Sequence, residues 1–168
     1  FVDRRGGGLL FLAGRGGLSE GGWHRSALAE LLPVILPDKK NTFHRDPATV
    51  ELTQAGRESL ICRLEEDPEK NAERWKKLPA LADFQESGTP KPGAVVLVDS
   101  LPTSKGRLPL LVTQNYGRGR VAVMATQGTW RWQMLQPLAD KTHEMFWQQL
   151  LRWLVADVGA RHIRRARR

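Results

Sequence analysis

Leu9-Leu10-Phe11-Leu12-Ala13 is a short unbroken apolar run set between two glycine clusters, Gly6-Gly7-Gly8 and Gly14-Arg15-Gly16-Gly17. An apolar run of this length, bounded by turn residues, fits a strand covered on both faces, as in the middle of a parallel sheet. It is the best candidate for a central strand. The glycine-rich loop Gly14 to Gly22 follows, then Ser26-Ala27-Leu28-Ala29-Glu30-Leu31-Leu32, whose Leu28, Leu31 and Leu32 share a helical face before Pro33 stops the turn. Strand, glycine loop and short helix form the opening unit of an α/β layer structure.

Downstream, prolines 37, 47, 68, 79, 90 and 92 and charge runs such as Arg63-Leu64-Glu65-Glu66-Asp67-Pro68-Glu69-Lys70 mark a loop-rich excursion from Pro37 to Gly93. Within it Thr49-Val50-Glu51-Leu52-Thr53 alternates like an edge strand, and Ala55 to Leu64 suits a short helix. Trp75, Leu78, Leu81 and Phe84 read as anchors onto the core. Order returns with Ala94-Val95-Val96-Leu97-Val98, then Leu108 to Gln114, then Arg120 to Thr126 across the turn Asn115-Tyr116-Gly117-Arg118-Gly119. These three strands predict an antiparallel hairpin extension of the sheet near the C-terminus. Phe146, Trp147, Leu150, Leu151 and Leu154 then make an apolar stripe on a helix from Thr142 to Ala156, with Thr142 as its expected N-cap.

A chain of 168 residues with 40% apolar content bounds one globular domain, expected over 1–160. The net charge is +8, and five of those charges are Arg161, Arg164, Arg165, Arg167 and Arg168, so the rest carries about +3. Residues 161–168 are expected to be a flexible basic tail, with an acidic partner or anionic surface as the functional alternative. The tail has no interleaved aromatics and no nucleic-acid motif, so no specific nucleic-acid partner is expected. A single cysteine, Cys62, excludes an internal disulfide and a cysteine-rich metal site. No apolar run approaches the roughly 20 residues a bilayer span requires. The opening Phe1-Val2-Asp3-Arg4-Arg5-Gly6 reads like a helix end running into a glycine stop, as in a fragment excised from a longer chain.

Several motifs, taken in order, carry a resemblance. They are Arg5-Gly6-Gly7-Gly8-Leu9-Leu10, Gly22-Trp23, Leu31-Leu32-Pro33-Val34, Trp75-Lys76-Lys77-Leu78-Pro79 and Pro92-Gly93-Ala94. Further on come Tyr116-Gly117-Arg118-Gly119-Arg120, Thr129-Trp130-Arg131-Trp132, Phe146-Trp147 and Arg152-Trp153. Together they resemble the glutamine amidotransferase-like domain of large bacterial membrane-anchored proteins, often found alongside a von Willebrand factor A domain. The resemblance spans nearly the whole chain. It implies a flavodoxin-like or Rossmann-like sheet with helices on its faces, a location in the bacterial cell envelope, and as partners another protein or other domains of the same polypeptide.

In active members of the parent class a cysteine sits on a tight turn after a strand, and a His-x-Glu pair follows a late strand. Here the first turn reads Ala13-Gly14-Arg15-Gly16-Gly17 and the second Thr126-Gln127-Gly128-Thr129-Trp130. Neither contains the required groups, so no catalytic residue is assigned, and a non-catalytic binding or structural module is the leading reading. The alternative is a divergent hydrolase or amidotransferase-like enzyme with a pocket at the Gly14 to Gly22 loop. That loop supplies the candidate ligand residues Gly14, Arg15, Gly16, Gly17, Ser19, Trp23 and His24, whose free N–H groups would cradle an anion. It lacks the phosphate-loop ending and the dinucleotide fingerprint, and no cofactor is expected. Thr129, Trp130, Arg131 and Trp132 offer two aromatic planes around a guanidinium for a ligand ring or a partner protein, or alternatively a packed lid. Trp147 and Trp153 read as helix-to-sheet packing. His24, His44 and His143 are too scattered for a metal motif, and Cys62 lacks a glycine elbow.

Overall fold

The computed structural model describes residues 1–156, so the expected basic tail at 161–168 lies outside the described residues. Along the chain come α1 (Val2–Arg5), β1 (Gly8–Leu12), α2 (Leu28–Leu31), β2 (Val34–Ile35), β3 (Phe43–His44), β4 (Ala48–Leu52) and α3 (Gln54–Glu58). There follow α4 (Pro68–Lys76), β5 (Phe84–Gln85), β6 (Thr89–Pro90), β7 (Val95–Pro102), β8 (Leu108–Tyr116), β9 (Gly119–Met124), α5 (Arg131–Met134) and α6 (Thr142–Val155). Five strands form one mixed sheet in the order β1-β9-β8-β7-β4. β1 runs parallel to β9, from Gly8 opposite Arg120 to Leu12 opposite Met124, and the other neighbours are antiparallel. The chain is thus α/β, with the antiparallel extension the sequence predicts.

The central strand is not the expected one. β1 closes one end of the sheet, and the wholly buried strand is β9. In the apolar run of β1, Leu9 and Phe11 face one core cluster and Leu10 the other, while Leu12 is 46% exposed. Among the described residues only one lateral edge is paired. Hydrophobicity reports the faces of a strand and is silent about its edges.

The two faces are separated by the alternation of β9. Ala122 and Met124 join one cluster, where α6 lays down Phe146, Leu150 and Leu154 and where Trp75, Trp132, Leu81 and Cys62 are buried. Val121 and Val123 join the other, which is capped by Val2 of α1 and by Leu18, Leu32, Val34 and Leu36. Trp147 is half-buried against the first cluster, while Leu151 is 50% exposed, so the predicted stripe on α6 is narrower than its apolar residues suggest. Thr142 is not the N-cap. It is the first helical residue, its N–H donates to Asp140 Oδ1 at 2.8 Å, and its hydroxyl accepts from Arg74 Nε at 2.9 Å.

The excursion holds more order than its prolines imply. Within the charge run, Asp67 caps α4 by accepting the Lys70 N–H, with Pro68 at the first helical position, where a missing N–H costs nothing. α4 buries Trp75, whose indole N–H donates to the Cys62 carbonyl at 2.8 Å, and Asn71, whose amide oxygen accepts from Leu64 and Glu65. The helix expected over Ala55 to Leu64 divides into α3 and a 3₁₀ turn at Leu60–Cys62. The one expected over 26–32 contracts to α2, with Leu28 exposed. β4 alternates as predicted at the far edge, burying Ala48, Val50 and Leu52. Trp75, Leu78, Leu81 and Phe84 are all buried anchors.

Candidate functional site

Parallel pairing of β1 with β9 brings together the two turns at which the parent chemistry would be sought. Gly14 lies just beyond β1 and Gln127 just beyond β9, and a Cβ built on Gly14 would meet Gln127 Nε2 at 2.1 Å. Where an elbow would present a nucleophile, a buried glycine is covered by a neutral amide. Beneath it, buried Gln85 accepts the Gly14 N–H and donates to the Gly17 carbonyl at 3.0 Å and to Thr42 Oγ1 at 3.1 Å. On the β9 side, Asp83 Oδ1 accepts the Thr126 hydroxyl at 3.0 Å and the Gln127 N–H at 2.8 Å. These groups satisfy one another, which is what buried polar atoms require.

The glycine loop is likewise closed on itself. The N–H groups of Gly14, Gly17, Gly21, Gly22 and Trp23 all donate within the protein, so the expected cradle of free N–H groups is not present at those positions. Leu18, buried at φ 51°, pins the loop into the core, and the buried Ser19 hydroxyl donates to the Pro37 carbonyl at 2.8 Å. Trp23 packs on Phe11, with centroids 5.6 Å apart, and His24 Nε2 meets Asp38 Oδ1 at 3.0 Å. Of the seven candidate residues, only Arg15 and Gly16 stand fully exposed.

Arg15 opens onto a groove of about 310 Å³ lined also by Glu20, Asn41, Phe43 and Arg45. Alternation along β3 turns Phe43 and Arg45 toward this groove and sends His44 the other way, to stack on Phe84 at 4.9 Å and meet Glu86 Oε1 at 2.8 Å. Asn41 takes the left-handed region at φ 59°, which Asn tolerates, and the chain then delivers both the Thr42 N–H and its hydroxyl to Glu20 Oε1. Those bonds, the backbone one foremost, hold the Glu20 carboxyl below its ordinary value. The sequence reading missed Glu20, Asn41, Phe43, Arg45 and Gln85. The alternation at 43–45 was the only signal available for the groove, and nothing local to Gln85 announces a partner 71 residues away.

Thr129 to Trp132 does not form one surface. Thr129 is buried, and Trp132 is 1% exposed, its indole N–H donating to the Pro79 carbonyl at 3.0 Å. Trp130 is 49% exposed, with the Arg131 guanidinium 5.6 Å from its ring centroid. The aromatic core is the edge-to-face trio Trp75, Trp132 and Phe146, with centroids 5.5 to 5.8 Å apart. Trp153, assigned to packing, is half-buried beneath the Arg120 guanidinium, 5.1 Å from its centroid.

Cys62 is fully buried in the α6-side cluster, across the sheet from Leu18 of the glycine loop, and burial pushes its thiol up to about 12. His143 accepts the Trp147 indole N–H at 3.1 Å, and burial lowers its pKa. The groove lining contains neither thiol nor imidazole. Among the described residues no group of three or more His, Cys, Asp or Glu is placed to hold a metal.

No family model and no curated protein matches the chain. Among solved structures it is similar to the Cytoplasmic Protein STM1381 from Salmonella typhimurium LT2, with a TM-score of 0.65 and 23% identity, covering 89% of this chain and 56% of that one. It is equally similar to the Cytoplasmic Protein STM3548 from Salmonella typhimurium, with a TM-score of 0.65 and 20% identity, covering 89% of this chain and 55% of that one. The chain therefore spans just over half the length of these structures, and the likeness is one of fold. The envelope location expected from the sequence is overturned. Both neighbours are named as cytoplasmic proteins, and no helix among the described residues is long and apolar enough to cross a membrane.

Proposed function

We propose that the chain is a non-catalytic, glutamine amidotransferase-like module that binds or positions a partner, either another protein or other domains of its own polypeptide. The observation that carries this reading is the contact between Gly14 and Gln127, an amide over a glycine at the junction where nucleophile and base would have to meet. Covalent catalysis needs a thiolate or alkoxide, a base within hydrogen-bond reach and oxyanion donors at one point. Gln85 and Asp83 instead tie the two turns together as a structural plug.

The divergent-enzyme alternative has one observation in its favour, the Glu20 carboxylate in the groove wall. With its proton affinity lowered by Thr42 and no nucleophile beside it, Glu20 is a weak base without a substrate-activating partner. A glutamine-hydrolysis assay on the purified chain tests the proposal. No turnover above background is expected, and turnover abolished by Cys62→Ser, which removes the sole thiol, would overturn it.

A further inference from the structure

We infer that the groove between the glycine loop and β3 is a binding site for a small oxyanion, a phosphate or carboxylate carried on a flat apolar body. Arg15 and Arg45 line it from two separate segments, and among the described residues neither guanidinium makes an ion pair or a hydrogen bond.

Two like charges opening onto one concavity repel until an anion lies between them, and the guanidinium fork matches the paired oxygens of carboxylate and phosphate. The half-buried Phe43 supplies an apolar wall on which a ring can lie. Glu20, fixed by Thr42, adds one negative charge to the same lining. The anionic head is thereby directed to the arginines, and ligands with several negative groups are disfavoured. A volume of about 310 Å³ sits at the small end of the range for ligand pockets and suits a single-ring molecule. The site is distinct from the plugged junction, since Gly14, Gly17 and Gln85 do not line it. It gives a binding module something to bind, and to that extent rests on the reading above.

The test is a titration of the ¹⁵N-labelled chain with three probes, phenyl phosphate, benzoate and inorganic phosphate. Saturable amide shifts are expected around Arg15, Glu20 and Asn41 to Arg45, with phenyl phosphate or benzoate binding more tightly than inorganic phosphate. Which of the two ring-bearing probes binds better identifies the natural head group. Arg15→Ala and Arg45→Ala should each weaken binding by about tenfold or more, the usual worth of a charge-assisted hydrogen bond. Both side chains are exposed, so the variants should unfold at the wild-type temperature. Phe43→Ala should remove the preference for the ring. Shifts scattered over the surface and unchanged in both arginine variants, or no saturation with any probe, would overturn the inference. Glutamine turnover by the wild-type chain would overturn the non-catalytic reading and leave this site standing.

Discussion

The side-chain oxygen of Gln85 accepts the backbone N–H of Gly14 at 3.0 Å, joining residues 71 apart in sequence, while the same amide donates to Gly17 and Thr42. A single buried side chain thus holds both ends of the first glycine turn and the start of β3. Gln85→Leu leaves the Gly14 N–H and the Gly17 carbonyl without this partner at about the same volume. The Gly17 carbonyl keeps the Gly21 N–H, so one group is orphaned, and the expected loss is about 1–3 kcal/mol. Urea unfolding checks it, with a lower midpoint at an unchanged slope. A midpoint equal to wild type would mean the loop is held by other contacts.

Cys62 makes a separate test, of the core on the α6 side, because it is the sole thiol. Its pKa is raised by burial from an ordinary 9.0 to about 12, so the native thiol should resist a disulfide reagent at pH 8 and react only in denaturant. The sign of the pH effect follows. Between pH 9 and 12 the unfolded chain releases this proton while the folded chain keeps it, so stability falls as pH rises through that window. Cys62→Ala should lose less stability over the same interval. Fast labelling of the native wild type would place the thiol at the surface.

Trp130 and Trp132 are two residues apart and do different work. Trp132→Ala opens a cavity beside Trp75 and Phe146 and should cost about 3–5 kcal/mol, whereas Trp130→Ala removes a half-exposed ring and should stay within about 0.5 kcal/mol. Thermal unfolding of the two variants compares them directly. Equal losses would contradict the division of this segment into core and surface.

That division shows why part of the molecule was legible and part was not. The hairpin of β8 and β9, the alternation of β4 and the stripe on α6 are written in local periodicity, and a sequence read alone finds them. The edge position of β1 depends on which strand it pairs with, and the burial of Trp132 on where Pro79 lies, neither of which is local. α4 was hidden in a charge run because its solvent face outnumbers the two residues it buries, Asn71 and Trp75. That Gln127 covers Gly14 required the parallel register of β1 with β9, which no local pattern carries.

Glu86 gives the prediction at acid pH. Burial alone would raise its carboxyl, but hydrogen bonds from Lys39 and His44, aided by the charges of Lys39 and Lys105, outweigh that and hold it at about 2 instead of the ordinary 4.5. The contacts are Lys39 Nζ at 2.5 Å, His44 Nε2 at 2.8 Å and Lys105 Nζ at 3.4 Å, on a carboxylate whose side chain is 14% exposed. A depressed carboxylate stabilises the fold at every pH above its unfolded value and loses that contribution as pH falls from 4.5 toward 2. The cluster joins the 39–44 segment to Glu86 and to the β7–β8 turn, so its loss should loosen the wall that carries Phe43 and Arg45. Glu86→Gln removes the titrating group. Its unfolding temperature should be lower than wild type at pH 7, and the two curves should converge as pH approaches 2. Parallel curves over pH 5 to 2 would show that Lys39, His44 and Lys105 do not stabilise this carboxylate in the folded protein.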